Sequence, residues 1–117
     1  MDIKIVKDKI SLDELKKIAQ EIFGNMVKAV ADVEKGIMAI GGEWYSDAEA
    51  KLIESGSKSQ NLWGFNIYPW EERDKWLEFD SLINIKPSQN NRSMQVESEE
   101  VRNKIKNIVE RLVVSNL

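Results

Sequence analysis

Trp76-Leu77-Glu78-Phe79-Asp80-Ser81-Leu82-Ile83-Asn84-Ile85-Lys86 is the stretch on which the fold turns. Successive residues of a strand project to opposite faces. Here Leu77, Phe79, Ser81, Ile83 and Ile85 fall on one side, and Glu78, Asp80, Leu82, Asn84 and Lys86 on the other. This period of two predicts the longest strand of the chain over residues 76–86. Just before it, Leu62-Trp63-Gly64-Phe65-Asn66-Ile67-Tyr68 repeats the pattern, with Trp63, Phe65 and Ile67 on one face and Pro69 ending the run. The charged residues 70–75 link the two as a loop or a single helical turn. Paired in the register their apolar faces imply, the strands present Asn66, Tyr68, Glu78, Asp80, Asn84 and Lys86 on the reverse side.

Further out, Met26 to Gly42 reads as a hairpin of two apolar runs joined by Asp32-Val33-Glu34-Lys35-Gly36, whose glycine can take the positive φ of the turn. Ile37 to Ile40 is continuously apolar, which predicts that the second strand of the hairpin is the more central. Ser11-Leu12-Asp13-Glu14 has capping-box spacing and starts a helix at Leu12, stapled by Ile10 and Leu15 and stopped at Gly24. A second box, Ser46-Asp47-Ala48-Glu49, opens a short helix that carries Ala48, Leu52 and Ile53 inward and stops at Gly56. Ser98 caps a last helix with Val101, Ile105, Ile108, Val109 and Leu112 as its apolar stripe. Residues 2–7 read as an edge strand. The expectation is an α+β fold: a three- to five-stranded antiparallel sheet packed by two longer helices and one short helix. All helices are expected on the face bearing Phe65, Ile67, Phe79, Ile83 and Ile85.

At 117 residues and 42% hydrophobic content, residues 1–117 suit one α+β domain with a single core. Cysteine and histidine are both absent. That removes thiolate nucleophiles, Cys/His zinc sites and any Ser-His-Asp triad, leaving catalysis to Asp, Glu, Lys, Tyr, Ser or Arg. No stretch approaches a membrane span, and the N-terminal residues lack an apolar leader region, so a cytoplasmic location is expected. A net charge of −3, with 17 basic and 20 acidic residues intermixed, argues against a broad nucleic-acid surface. The sequence names neither a cofactor nor a metal.

Two places carry candidate chemistry. The polar loop holds Lys86, Asn90, Asn91, Arg92 and Ser93 beside the start of the last helix, a set able to hold a phosphate or carboxylate. Its plain alternative is turn chemistry, with Asn and Ser bonding local backbone. The polar sheet face gathers Asp80, Asn84, Asn66 and Tyr68, where Asp80 with Glu78 or Glu43 could act as a base or hold a divalent ion. Its plain alternative is a solvated surface. Gly41-Gly42-Glu43-Trp44-Tyr45 matches neither a Walker loop nor a dinucleotide fingerprint and reads as a tight turn. Trp44, Trp70 and Trp76 lie at element ends where a ring can stay partly exposed and serve a homodimer contact, whereas Trp63 reads as core.

These features support a non-catalytic binding module for a protein partner or small anionic ligand, acting through residues 86–93 and the adjoining sheet face. The alternative is a hydrolase- or nuclease-type enzyme that uses Asp80 and a neighbouring carboxylate around a divalent metal, with Arg92 stabilising negative charge.

Several stretches also resemble, together, a family of short bacterial and archaeal proteins catalogued as a domain of unknown function. They are Phe23-Gly24 with Val27-Lys28-Ala29-Val30, Asp32-Val33-Glu34-Lys35-Gly36, Leu62-Trp63-Gly64 with Asn66-Ile67-Tyr68-Pro69, and the run from Glu78 to Ser93. Asn90 stands where glycine would be expected in the polar loop, and asparagine can adopt the same left-handed conformation. The resemblance covers most of residues 3 to 113. It implies a full-length domain and brings no activity.

Overall fold

Ser11 opens the first helix as its spacing predicts. In a computed structural model describing residues 2–115, α1 (Leu12–Ile22) begins directly after it and the Ser11 Oγ accepts the Glu14 N–H at 3.1 Å. Ile10 and Leu15 flank this cap and are fully buried. The helix ends where Gly24 takes φ +94° and donates to the Ala19 carbonyl at 2.7 Å. The last helix, α3 (Glu99–Leu112), is capped by Ser98 Oγ, 3.2 Å from Val101 N, and buries Ile105, Ile108, Val109 and Leu112.

The described residues form seven strands: β1 (Lys4–Val6), β2 (Ile10–Ser11), β3 (Val27–Asp32), β4 (Ile37–Ile40), β5 (Leu62–Ile67), β6 (Leu77–Glu78) and β7 (Val113–Val114). Five of them make one antiparallel sheet in the order β1-β4-β3-β5-β6, while β2 and β7 pair in parallel as a separate ribbon. With three α-helices, the fold is α+β as expected. Residues 2–7 do supply an edge strand, and residues 70–75 do contain one helical turn, Arg73–Lys75. The central strand is β3 rather than β4, because β3 pairs with β4 on one side and along its whole length with β5 on the other.

Helices cover both faces of the sheet, not one. α1 and α3 pack against Ala29, Met38, Ile40, Trp63, Phe65 and Ile67, whereas α2 (Tyr45–Glu54) packs Ala48 and Leu52 against Val30, Ile37, Ala39 and Leu62. The continuously apolar Ile37–Ile40 run has this cause: alternate residues enter two different cores. Each fully buried Leu, Ile or Phe contributes about 1.5–3 kcal/mol, so neither face can be left open to water.

α2 departs from its predicted start. It begins at Tyr45 with Trp44 as its N-terminal flanking residue, so Ser46 lies inside the first turn and caps nothing. Gly41 and Gly42, at φ +94° and +78°, turn the chain so that the Tyr45 ring packs on the α2-side core, and its hydroxyl donates to Asn66 Oδ1. Placing that ring outweighs one hydroxyl cap, which is worth about 1 kcal/mol. Ile53, expected inward, is exposed, and Trp76, expected at a partly open end, is buried with its Nε1 donating to Glu71 O at 2.9 Å.

The largest departure is the 76–86 strand. Only Leu77–Glu78 pairs with β5, after which the chain makes an isolated bridge at Asp80, a 3₁₀ turn over Leu82–Asn84 and another over Pro87–Gln89. Ser81 Oγ accepts the Ile83 N–H at 3.3 Å, offering the backbone a local alternative to a ladder. Across from it, Gly64 leaves an empty position in β5: a Cβ built there would lie 2.6 Å from Ser81 Cβ. Ile83 therefore packs on the α2 side, Ile85 is exposed, and Asn84, expected on the open face, is fully buried. Among the described residues, no helix is long and apolar enough to cross a membrane.

Candidate functional site

Where the ladder stops, side-chain amides take over. Asn84 Oδ1 accepts the Gly64 N–H at 2.8 Å, and its Nδ2 donates to the Gly64 carbonyl at 2.9 Å and to Met94 O at 3.0 Å. One amide thus bonds β5 as a neighbouring strand would. Asn91, also buried, shares its Nδ2 among the carbonyls of Asn84, Ser93 and Gln95 at 2.7, 3.1 and 2.7 Å, and its Oδ1 accepts Glu97 N–H at 2.8 Å. Asn90 takes φ +60°, the left-handed conformation its type tolerates, and lets the Lys86 and Asn91 backbones bond each other across the loop. Residues 80–97 form a fixed platform in which every buried side-chain polar atom has a partner.

The loop residues divide between interior and surface. Ser93 Oγ, Ser93 N–H and Arg92 N–H all donate to Glu97 Oε2, at 2.8, 2.9 and 3.0 Å. The Ser93 hydroxyl, followed by these backbone donors, holds the Glu97 carboxyl below its ordinary value. The Ser93 hydroxyl and the two loop N–H groups are thus already engaged by the chain's own carboxylate. Lys86 leans back, donating to Ser59 O at 3.1 Å with its ammonium 5.4 Å from the Trp63 ring, and burial lowers its pKa against the opposing pull of Glu49. Asn90 and Arg92 remain exposed. So do three apolar side chains of the platform: Leu82 at 69%, Ile85 at 43% and Met94 at 39%. The strand reading assigned Ile85 to the core and gave Leu82 no role, so this patch was missed. Its signal was the pair of apolar residues three apart, the period of a 3₁₀ turn.

The polar sheet face is organised by strand register. Lys28, Asn66 and Glu78 stand abreast on β3, β5 and β6. Asn66 Nδ2 donates to Glu78 Oε1 at 2.7 Å, and the Tyr68 hydroxyl donates to the same oxygen at 3.0 Å. Tyr45 is pushed up to about 12, chiefly by burial, with the negative fields of Asp80 and Glu78 adding to it. Tyr68 is raised for the same reasons, its hydrogen bond to Glu78 contributing. Both phenols are therefore protonated donors at neutral pH. The field of Asp80 reaches both phenols, whereas Asn84 lies in the interior. The Lys28 ammonium lies 4.8, 5.0 and 5.7 Å from the rings of Tyr45, Phe23 and Trp44 and donates to Glu43 O at 2.9 Å. That bond ties the Glu43 backbone, just before α2, to β3. No hydrogen bond or ion pair among the described residues joins Arg92 to Asp80. No group of three or more acidic residues among them is arranged to hold a metal ion.

Neither the curated proteins nor the solved structures contain a match to this chain. A family model does match, described as Protein of unknown function (DUF5674), and it spans residues 4–112. Those residues include both helix caps, the whole five-stranded sheet and the 80–97 platform, and the chain belongs to that family.

Proposed function

We propose that this chain is a non-catalytic module that docks a protein partner on the platform of residues 80–97. One observation carries the proposal, a mismatch between rigidity and exposure. Asn84 and Asn91 use buried amides to fix the segment, yet Leu82, Ile85 and Met94 face water. A 3₁₀ turn sets positions i and i+3 on one side, so Leu82 and Ile85 project together. Ordering apolar side chains in water gives the fold nothing. A pre-ordered segment that exposes apolar side chains together with polar ones, here Asn90 and Arg92, has the mixed composition of a protein interface.

A small anion would find the Arg92 and Ser93 N–H groups already holding Glu97 and would lean on the exposed Arg92 side chain, which gives that version less support. The hydrolase or nuclease reading also has less behind it. Glu78, one of the two carboxylates proposed to work with Asp80, is already held by Asn66 and Tyr68. The same proposal places the module in the cytoplasm, supported by its cysteine-free, mixed-charge composition.

The test is a photo-crosslinking residue placed at position 82, 85 or, as a control on α1, 17. Discrete adducts are expected from 82 and 85 and none from 17. A second copy of the chain would be recognised as an adduct of twice the mass. Leu82→Glu should abolish the adduct from position 85 while changing stability by no more than about 0.5 kcal/mol. Equal labelling at all three positions, or none, overturns the proposal.

A further inference from the structure

We propose that the groove between the Arg73–Lys75 turn and α3 binds a zwitterion with an apolar side chain, such as a free aromatic or branched α-amino acid. The groove has a volume of about 570 Å³ and is independent of the platform residues. Small-molecule sites span roughly 300–1,000 Å³ and combine an apolar floor with a few polar groups that fix orientation. Here the floor is Trp76, Leu77, Phe79 and Val109, and the Trp76 ring is fixed by its bond to Glu71 O at 2.9 Å.

The rim decides the ligand class. It carries two cations, Arg73 and Lys106, and two anions, Asp74 and Glu110. None of the four forms an ion pair among the described residues. Lys106 and Glu110 stand four apart on α3, a spacing at which Lys104 and Glu100 do pair at 3.5 Å. An anionic ligand would meet the two rim carboxylates and a cationic one the two rim cations, whereas a molecule carrying both charges satisfies both. Arg73 also has the geometry for a carboxylate. Its guanidinium carbon lies 3.9 Å from the Trp76 ring centroid, and among the described residues its one hydrogen bond is a long 3.5 Å contact to Val113 O. A guanidinium pre-ordered by stacking keeps its in-plane N–H fork for a two-pronged carboxylate contact.

The experiment follows the Trp76 indole N–H resonance of the full chain during titration with L-phenylalanine, N-acetyl-phenylalanine and phenethylamine. Phenylalanine should shift that resonance, and each singly charged analogue should bind at least tenfold more weakly. Arg73→Gln should erase the preference over phenethylamine, and the Asp74→Asn, Glu110→Gln pair the preference over the acetylated compound. The ligand series on the unaltered chain stands even where a variant fails to fold. No shift at millimolar phenylalanine, or a singly charged analogue binding as tightly, overturns the proposal.

Discussion

The β3–β4 hairpin and residues 76–86 both read from sequence as antiparallel strand, and the chain builds them by different means. In the hairpin, Ala29 to Asp32 pair with Ile37 to Ile40 rung by rung, and side chains intervene only at the turn, where Asp32 Oδ1 accepts from Glu34 and Lys35 N–H at 3.0 Å each. In the later segment, pairing with β5 ends after Leu77–Glu78, and Asn84 and Asn91 supply the bonds a ladder would have made. Period-two apolarity therefore specifies a strand only where the backbone has a neighbour to bond. Beside a glycine gap with serine and asparagine at hand, the same pattern folds into turns.

The largest expected effect breaks that comparison at Asn84. Asn84→Ala strands the Gly64 N–H and carbonyl in the interior, while Met94 O keeps the Ser81 N–H, and should cost about 3–5 kcal/mol in urea unfolding. A loss under about 1 kcal/mol would mean that the amide is not what holds the segment. Gly64→Ala comes next. Its methyl would lie 2.6 Å from Ser81 Cβ and Oγ and 3.1 Å from Ile83 Cγ1, an overpacking worth about 1–3 kcal/mol. Hydrogen exchange should then quicken across residues 80–97 while the hairpin amides stay protected.

The matching change in the hairpin is smaller. Gly36 holds φ +70°, so Gly36→Ala should cost about 1–2 kcal/mol through backbone strain and leave the platform amides unchanged. The mildest perturbation is acid. A carboxyl held below its ordinary value contributes stability above that value, 4.5, and loses it as pH falls through the lowered one. The Arg92 and Ser93 amide resonances should move in that window before any hairpin amide does. Simultaneous movement would mean the two regions are one cooperative unit.

Much of the fold was legible because its signals were local. The Ser11 and Ser98 caps, the Gly24 stop and the Gly36 turn each depend on residues within a few positions of one another. The failures needed partners distant in sequence. Ser46 has a cap's spacing, but Tyr45 is claimed by Asn66 on another strand. Alternation sets Phe79 and Ile83 on one face, whereas the turn that follows Ser81 sends them into different cores, so Asn84 could be read as polar but not as buried. The available clue was Gly64, since a glycine inside a strand pattern marks a close approach by other chain atoms. At the candidate site, loop composition showed donors in abundance. It could not show that Glu97, four residues beyond Ser93, fills them.

The two-residue ribbon of Ile10–Ser11 with Val113–Val114 sets a schedule for folding. Position 113 is synthesised long after position 10, so this closure must wait for the chain between them, and contacts of such long sequence separation form slowly. Until α3 has been synthesised, the core that α1 shares with it stays incomplete and its apolar side chains stay open to water.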